Sequence, residues 1–303
     1  MIHTLVLSGG GYYGLITLSI LQHLVEKEFL NLETVYTIYG TSIGSLVGIL
    51  ICLGLSLENY IDYFVNRPWE KSITFNSDTI FNYYQTKGLC NTSFFEVMLK
   101  NIYESQNFEF SLTMKELYDF SKKELIIYTI ELETFTLVEV SYKTHPDLRV
   151  IDAVTMSCAI PYIFEPVCYK GQYYIDGGLL CNYPIMKAIK KIEEEEQTQT
   201  QTQTQTQTQT QEGLDGILGI EIKKNVSKSI GDLSLAEYAY FLHCQLCKHQ
   251  KENQEVEIKH DIKIDCNMMN VENSFKVFYD KTQRENLINI GIQKAEEFLH
   301  NNK

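Results

Sequence analysis

The sequence predicts an α/β layer fold, and three observations lead there. Apolar runs of strand length alternate with segments of helix length along the chain. The first two such runs each enter a turn of small residues that opens a helix, "LSGGGYYG" from Leu7 and "YGTSIG" from Tyr39. The chain has 303 residues, 44% of them hydrophobic, enough for a sizeable core, and its length leaves one or two domains open.

Each element follows from its pattern. "HTLVLS" reads as a strand and Leu15 to Lys27 as a helix, then "TVYTIYG" as a second strand followed by a helix from Ser42 to about Leu55. "LIIYTIELET" and "TLVEVSY" read as a hairpin or as two neighbouring strands. "DLRVIDAVTMSCAI" reads as a helix stopped by Pro161. "YKGQYYIDGG" is a short hairpin leading into a turn, Ile185 to Ile192 a helix, "GILGIEI" a buried strand and "VEIKHDIKID" another. Thr282 to His300 closes the chain as an amphipathic helix.

Two segments break the pattern. Between residues 60 and 110, Trp69, Phe75, Phe81, Tyr83, Tyr84, Phe94, Phe95 and Tyr103 crowd a stretch of little periodicity. It reads either as a helical excursion packed on the sheet or as a lid or acyl-chain groove, because apolar ligands need aromatic walls. Glu193 to Glu196 and the Gln-Thr repeat to Gln211 form a low-complexity insert at 193–211 with no large apolar residue. Nothing in it offsets ordering entropy, so a solvated surface loop is expected.

Composition excludes several roles. Net charge is −13 with three arginines and no basic stripe, which disfavours nucleic acid and strong docking on anionic membranes. The first strand begins at once, without the charged region of a signal peptide, and "IGSLVGILICLGLSL" is too short and glycine-rich for a membrane span. The expectation is a cytoplasmic protein that is not secreted and has room for peripheral membrane contact. The eight cysteines are irregularly spaced and are read as reduced. His243, Cys244, Cys247 and His249 have a spacing that zinc uses, but they sit inside a helical pattern starting near Ser234 and lack a second cysteine pair.

The loop at Gly9, Gly10, Gly11 and Gly14 permits two readings, and both use glycine to bring backbone amides close to an anion. As G-x-G-x-x-G it would cradle a dinucleotide. That site needs an acidic residue at the end of the second strand, and Glu33 precedes the strand instead. The place is taken by Gly40-Thr41-Ser42-Ile43-Gly44, a G-x-S-x-G turn between a strand and an apolar helix, which would stand a serine hydroxyl above the sheet. A serine nucleophile needs a base. None of the histidines, at 3, 23, 145, 243, 249, 260 and 300, sits in a recognisable turn after a late strand. Asp176 is delivered by a strand into the Gly177-Gly178 turn, although a plain Asp-Gly β-turn would look the same.

Four blocks in order then resemble the patatin-like phospholipase family: Gly9-Gly10-Gly11-x-x-Gly14, Gly40-x-Ser42-x-Gly44, "SCAIPYIFEP" from Ser157, and "DGGLLCNYP" from Asp176. The blocks span residues 3 to 190. The resemblance implies a three-layer α/β/α fold with a mostly parallel central sheet, as a single domain over 1–303. It also implies a Ser42–Asp176 dyad without histidine, an oxyanion loop at Gly9, Gly10, Gly11 and Gly14, and no metal or cofactor. The implied partner is a phospholipid or other lipid ester, cleaved through an acyl-enzyme. An acyltransferase using the same dyad and a catalytically silent lipid-binding relative are the alternatives. Tyr13 departs from the family, which often carries Lys or Arg before the last glycine of the loop.

Overall fold

A computed structural model of the chain describes residues 1–69, 85–200, 213–225, 230–233, 238, 241–242, 244–245, 256–267 and 276–302. Its centre is an eight-stranded sheet: β1 (Thr4–Leu7), β2 (Thr37–Thr41), β3 (Glu124–Glu131), β4 (Thr136–Val140), β5 (Val167–Tyr169), β6 (Gln172–Asp176), β7 (Ile217–Asn225) and β8 (His260–Asn267). Pairs β1–β2, β2–β3, β1–β7 and β7–β8 are parallel. The pairs β3–β4, β3–β6 and β5–β6 are antiparallel. The fold is therefore the expected α/β one, with a mostly parallel sheet.

Strand alternation sorts the side chains into two cores. Leu5, Leu7, Ile38, Leu125, Ile127, Leu218 and Ile220 face one side. There they meet α1 (Gly14–Glu26), α2 (Ile43–Leu53) and α3 (Leu57–Asn66). Val6, Tyr39, Ile126, Tyr128 and Ile217 face the other, against a later helix at Ile185–Thr200. Helices on both faces complete the three layers. Every residue of α2 from Gly44 to Leu53 is buried, which explains why its sequence is apolar all round.

On the first side the helical shell continues with α4 (Thr92–Ser105) and α5 (Met114–Ser121), and α6 (Val150–Cys158) leads into "SCAIP". The short α7 (Gly178–Cys181) follows β6, α8 is Ile185–Thr200, and α9 (Lys281–Asn301) closes the chain along α1. Gly291 of α9 lies so near α1 that a Cβ there would come within 1.8 Å of Ser19 Oγ.

Several boundaries differ from the sequence reading. The helix from Ile185 does not stop at Ile192 but runs to Thr200, through the four glutamates and into the repeat. Glutamate is a good helix former, and Lys190 reaches Glu194 one turn on at 3.6 Å, so a started helix propagates. The first part of the 193–211 insert is therefore helix rather than loop, and residues 201–212 lie outside the described set. Of "VEIKHDIKID" only His260 onward is strand. The two runs after Leu125 are a hairpin. Phe75, Phe81, Tyr83, Tyr84, His243, Cys247 and His249 lie outside the described residues. Cys244 is buried against Ile160. Among the described residues, no helix is long and apolar enough to cross a membrane.

Candidate active site

Sheet register brings the serine and the aspartate together. β4 takes one edge of β3 over Ile127 to Glu131. β2 takes the other edge over Glu124 to Tyr128, and β6 continues that same edge over Thr129 to Glu131, running the opposite way. The C-terminal ends of β2 and β6 therefore abut. Thr41 is opposite Tyr128 and Asp176 is opposite Thr129, adjacent positions roughly 3.4 Å apart along the strand. Ser42 leaves β2 at this junction, and both side chains are withdrawn from water: Ser42 is 5% exposed and Asp176 2%.

The turn at Ser42 is tight. Its φ of 54° and ψ of −128° belong to a sparsely populated region for a residue with a Cβ, and the structure around it holds that strain. A Cβ on Gly40 would meet the Gly44 carbonyl and the Ser45 backbone at 2.7 Å, and one on Gly44 would meet the Leu7 carbonyl at 2.3 Å. Both motif glycines are thus needed for contact. The Ser42 amide donates to Ser157 Oγ at 2.8 Å, and Ser157 donates onward to the Tyr128 carbonyl at 2.7 Å. Helix α2 begins at Ile43, so its orphan amides and positive end face the serine.

Asp176 is fixed from three directions. Its amide donates to the Ala159 carbonyl at 3.0 Å, and Oδ1 accepts the Gly178 amide at 2.6 Å. Gly177 lies on Tyr128, whose carbonyl would be 2.3 Å from a Cβ. Asn182 then links this turn to the glycine loop. Its Oδ1 lies within 2.9 Å of where a Cβ on Gly178 would stand and 2.5 Å from one on Gly9, and a Gly9 Cβ would also lie 3.1 Å from Ser42 Cβ. Asp176, Gly178, Asn182, Gly9 and Ser42 therefore form one contiguous set.

Within the glycine loop the four positions divide their work. The Gly9 amide is committed to the Asn182 carbonyl at 3.0 Å, and the Gly14 amide bonds back to Gly11 and Tyr12. Gly14 also makes room for Ile43, whose Cγ1 would be 2.3 Å from a Cβ. These two glycines shape the loop. Gly11 has φ of 61°, a conformation that favours glycine. The Gly10 and Gly11 amides have no acceptor among the described residues. Ser8 anchors the loop from below by accepting the Ile222 amide of β7 at 2.8 Å.

Cys158 lies beside the pair. Burial pushes its thiol well above the ordinary value, the Asp176 charge adds to this, and hydrogen bonding with Ser45 and Ser42 only partly opposes it. A thiol so disposed stays protonated at neutral pH. Sequence reasoning assigned no role to Ser157, Cys158 or Asn182, although the "SCAIP" and "NYP" blocks contain them.

Ser42 also lines an apolar cavity of about 150 Å³. Ile43, Leu46, Val47 and Leu50 of α2 form one wall, and Leu15 and Leu18 of α1 a second. Aromatic rings close the outer side. Phe64 stacks on Trp69, which meets Phe278 edge-on, and Phe94 meets both Phe278 and Phe164. The aromatic crowding seen between residues 60 and 110 is thus a wall at the serine, as far as Trp69, Phe94 and Phe95 represent it.

The family model for patatin-like phospholipases matches residues 5–189. The chain belongs to this family. Among curated relatives of this patatin-like protein are protein R571 of Acanthamoeba polyphaga mimivirus, 28% identical over 61% of this chain and 60% of its own, and the probable lipid hydrolase 463L of Invertebrate iridescent virus 6, 29% identical over 62% and 63%. The chain thus spans about six tenths of the length of these relatives. VipD from Legionella pneumophila superposes on 98% of this chain and 67% of its own with a TM-score of 0.51 at 14% identity, a likeness of fold. Strands β7 and β8 lie beyond the residues matched to the patatin-like family, yet they extend the same sheet and carry the anchor for Ser8.

Proposed function

We propose that this protein is a lipid acyl hydrolase of phospholipase A type, with Ser42 as nucleophile and Asp176 as general base. The observation that carries this reading is the abutment of β2 and β6 on one edge of β3, which brings Ser42 and Asp176 to one junction, with Ser42 also lining an apolar cavity. Family membership and a viral relative named as a probable lipid hydrolase support the substrate class.

In this reaction Ser42 Oγ attacks the ester carbonyl carbon while its proton passes to Asp176 Oδ2, the oxygen not held by Gly178. The oxygen that gains charge is met by the Gly10 and Gly11 amides and by the positive end of α2 at Ile43. Collapse of the tetrahedral intermediate expels the alcohol, which takes the proton back from Asp176 and leaves the acyl group on Ser42. Water then attacks, giving its proton to Asp176, and the second collapse returns that proton to Ser42 as the fatty acid leaves. The acyl chain lies throughout in the aromatic-walled cavity.

The test is fatty acid release from mixed phospholipid vesicles by wild type and by Ser42→Ala. Release by wild type alone is expected. Equal release by both would remove Ser42 from the mechanism, and release by neither would remove the lipid ester.

A further inference from the structure

We infer that the cavity beside Ser42 is a ruler that accepts one medium-length acyl chain, about six to ten carbons, and leaves longer chains projecting. This rests on the proposed reading of Ser42. Three helices define the depth. On α2 the lining runs from Ile43 to Leu50 and stops. The seven steps from Ile43 to Leu50, at roughly 1.5 Å each, make this wall about 10 Å long. On α1 the lining stops at Leu18, and on α3 it includes Phe64 but not Tyr60 one turn below. Below that level Leu21, Leu53 and Tyr60 are all fully buried and fill the core. Tyr60 is pinned there by its hydroxyl, which accepts the Leu55 amide at 3.3 Å.

The outer side has a rigid stop as well. Arg284 lines the cavity but turns its guanidinium to the chain: Nε donates to the Val65 carbonyl at 3.0 Å, and Nη1 donates to Val277 and Phe278 at 2.6 and 3.0 Å. It ties the end of α3 to the start of α9 and holds the wall at Val277 and Phe278 in place.

Two independent measures give the chain length. An extended chain advances roughly 3.4 Å per three bonds, so ~10 Å takes about nine bonds. The volume of about 150 Å³ is that of an apolar cavity which stays dry and holds a six-carbon hydrocarbon. Volume sets the lower figure and length the upper one.

Ser42→Ala protein, which does not turn over, is titrated with free fatty acids from butyrate to palmitate by competition against a fluorescent fatty acid. Each methylene that enters the cavity should tighten binding about two- to fourfold. The series should break between hexanoate and decanoate, with further carbons adding little. Val47→Phe, which fills the cavity half-way down α2, should move the break to shorter acids, and Leu50→Ala should move it to longer ones. Affinity that rises steadily to palmitate, or a break that neither folded variant moves, would overturn the ruler. Because this readout is binding, it is separate from the vesicle assay. A break without hydrolysis by wild type would keep the cavity assignment and reject the chemistry, whereas hydrolysis without a break would do the reverse.

Discussion

Ser42 and Asp176 are placed by backbone rather than by long side chains, and that decides how substitutions at these residues behave. Asp176→Asn keeps an oxygen for the Gly178 amide, so the turn should survive, but the side chain no longer accepts a proton. Hydrolysis should fall by on the order of 10³–10⁴, as for loss of a member of other serine-based catalytic sets. Circular dichroism and melting should remain close to wild type. An unchanged rate in this variant would end the role of Asp176 as base.

At the scale of elements, the elbow between β2 and α2 depends on a neighbour that is remote in sequence. Ser157, at the end of α6, takes the Ser42 amide and gives its own proton to the Tyr128 carbonyl. Ser157→Ala leaves two buried main-chain groups without their partner, at a cost of about 1–3 kcal/mol. The strained φ of Ser42 is then less firmly held. We expect lower stability in urea unfolding together with a fall in kcat larger than any change in KM. A stability loss with kinetics unchanged would show that α6 supports the sheet without positioning the serine. The glycine loop has a similar dependence on Asn182, which receives the Gly9 amide on its carbonyl and reaches Gly9 with its side chain. The Gly9 amide is thereby spent on shape, as the Gly14 amide is on Gly11 and Tyr12, which leaves Gly10 and Gly11 for the proposed oxyanion hole.

At the scale of the whole molecule, one ion-pair cluster ties the layers together at the other end of β3. Burial raises the Glu124 carboxyl, but hydrogen bonds from Lys143 and Lys191 outweigh it and hold the group below its ordinary value of 4.5. Lys143 follows β4 and Lys191 belongs to α8, each 2.9 Å from Oε1, so the cluster joins hairpin, strand and helix. A carboxyl depressed in the folded state contributes stability that is present above the unfolded pKa and lost as pH falls through the folded one. Thermal melts should therefore show wild type more stable than Glu124→Gln at neutral pH, with the gap closing below about pH 4.5. A gap independent of pH would mean that packing, not charge, is what the substitution removes.

How much of this was legible in the sequence depends on the range of the interactions. The strand–glycine–helix turns at residues 5–20 and 37–50, the strands β3 and β4 and the closing helix are written in local periodicity and turn chemistry, while the pairing of β3 with β4 as a hairpin is not. The G-x-S-x-G and D-G-G stretches are short enough for neighbouring residues to dictate the backbone. Low apolar content predicts a solvated loop at Glu193–Glu196, whereas propensity and an i,i+4 pair extend a helix already nucleated by its buried face at Ile185, Ala188 and Ile189. The sequence by itself determined the fold class and the family, and through that resemblance the candidate nucleophile and base, since each strand, turn and motif block is a run of about ten residues or fewer. Only the tertiary structure decided that β6 continues the edge β2 leaves, that Ser157 and Asn182 brace the turns at Ser42 and Gly9, and that α1, α2, α3 and α4 line one cavity. These depend on register between strands more than a hundred residues apart and on which helix faces meet, and no local pattern encodes either.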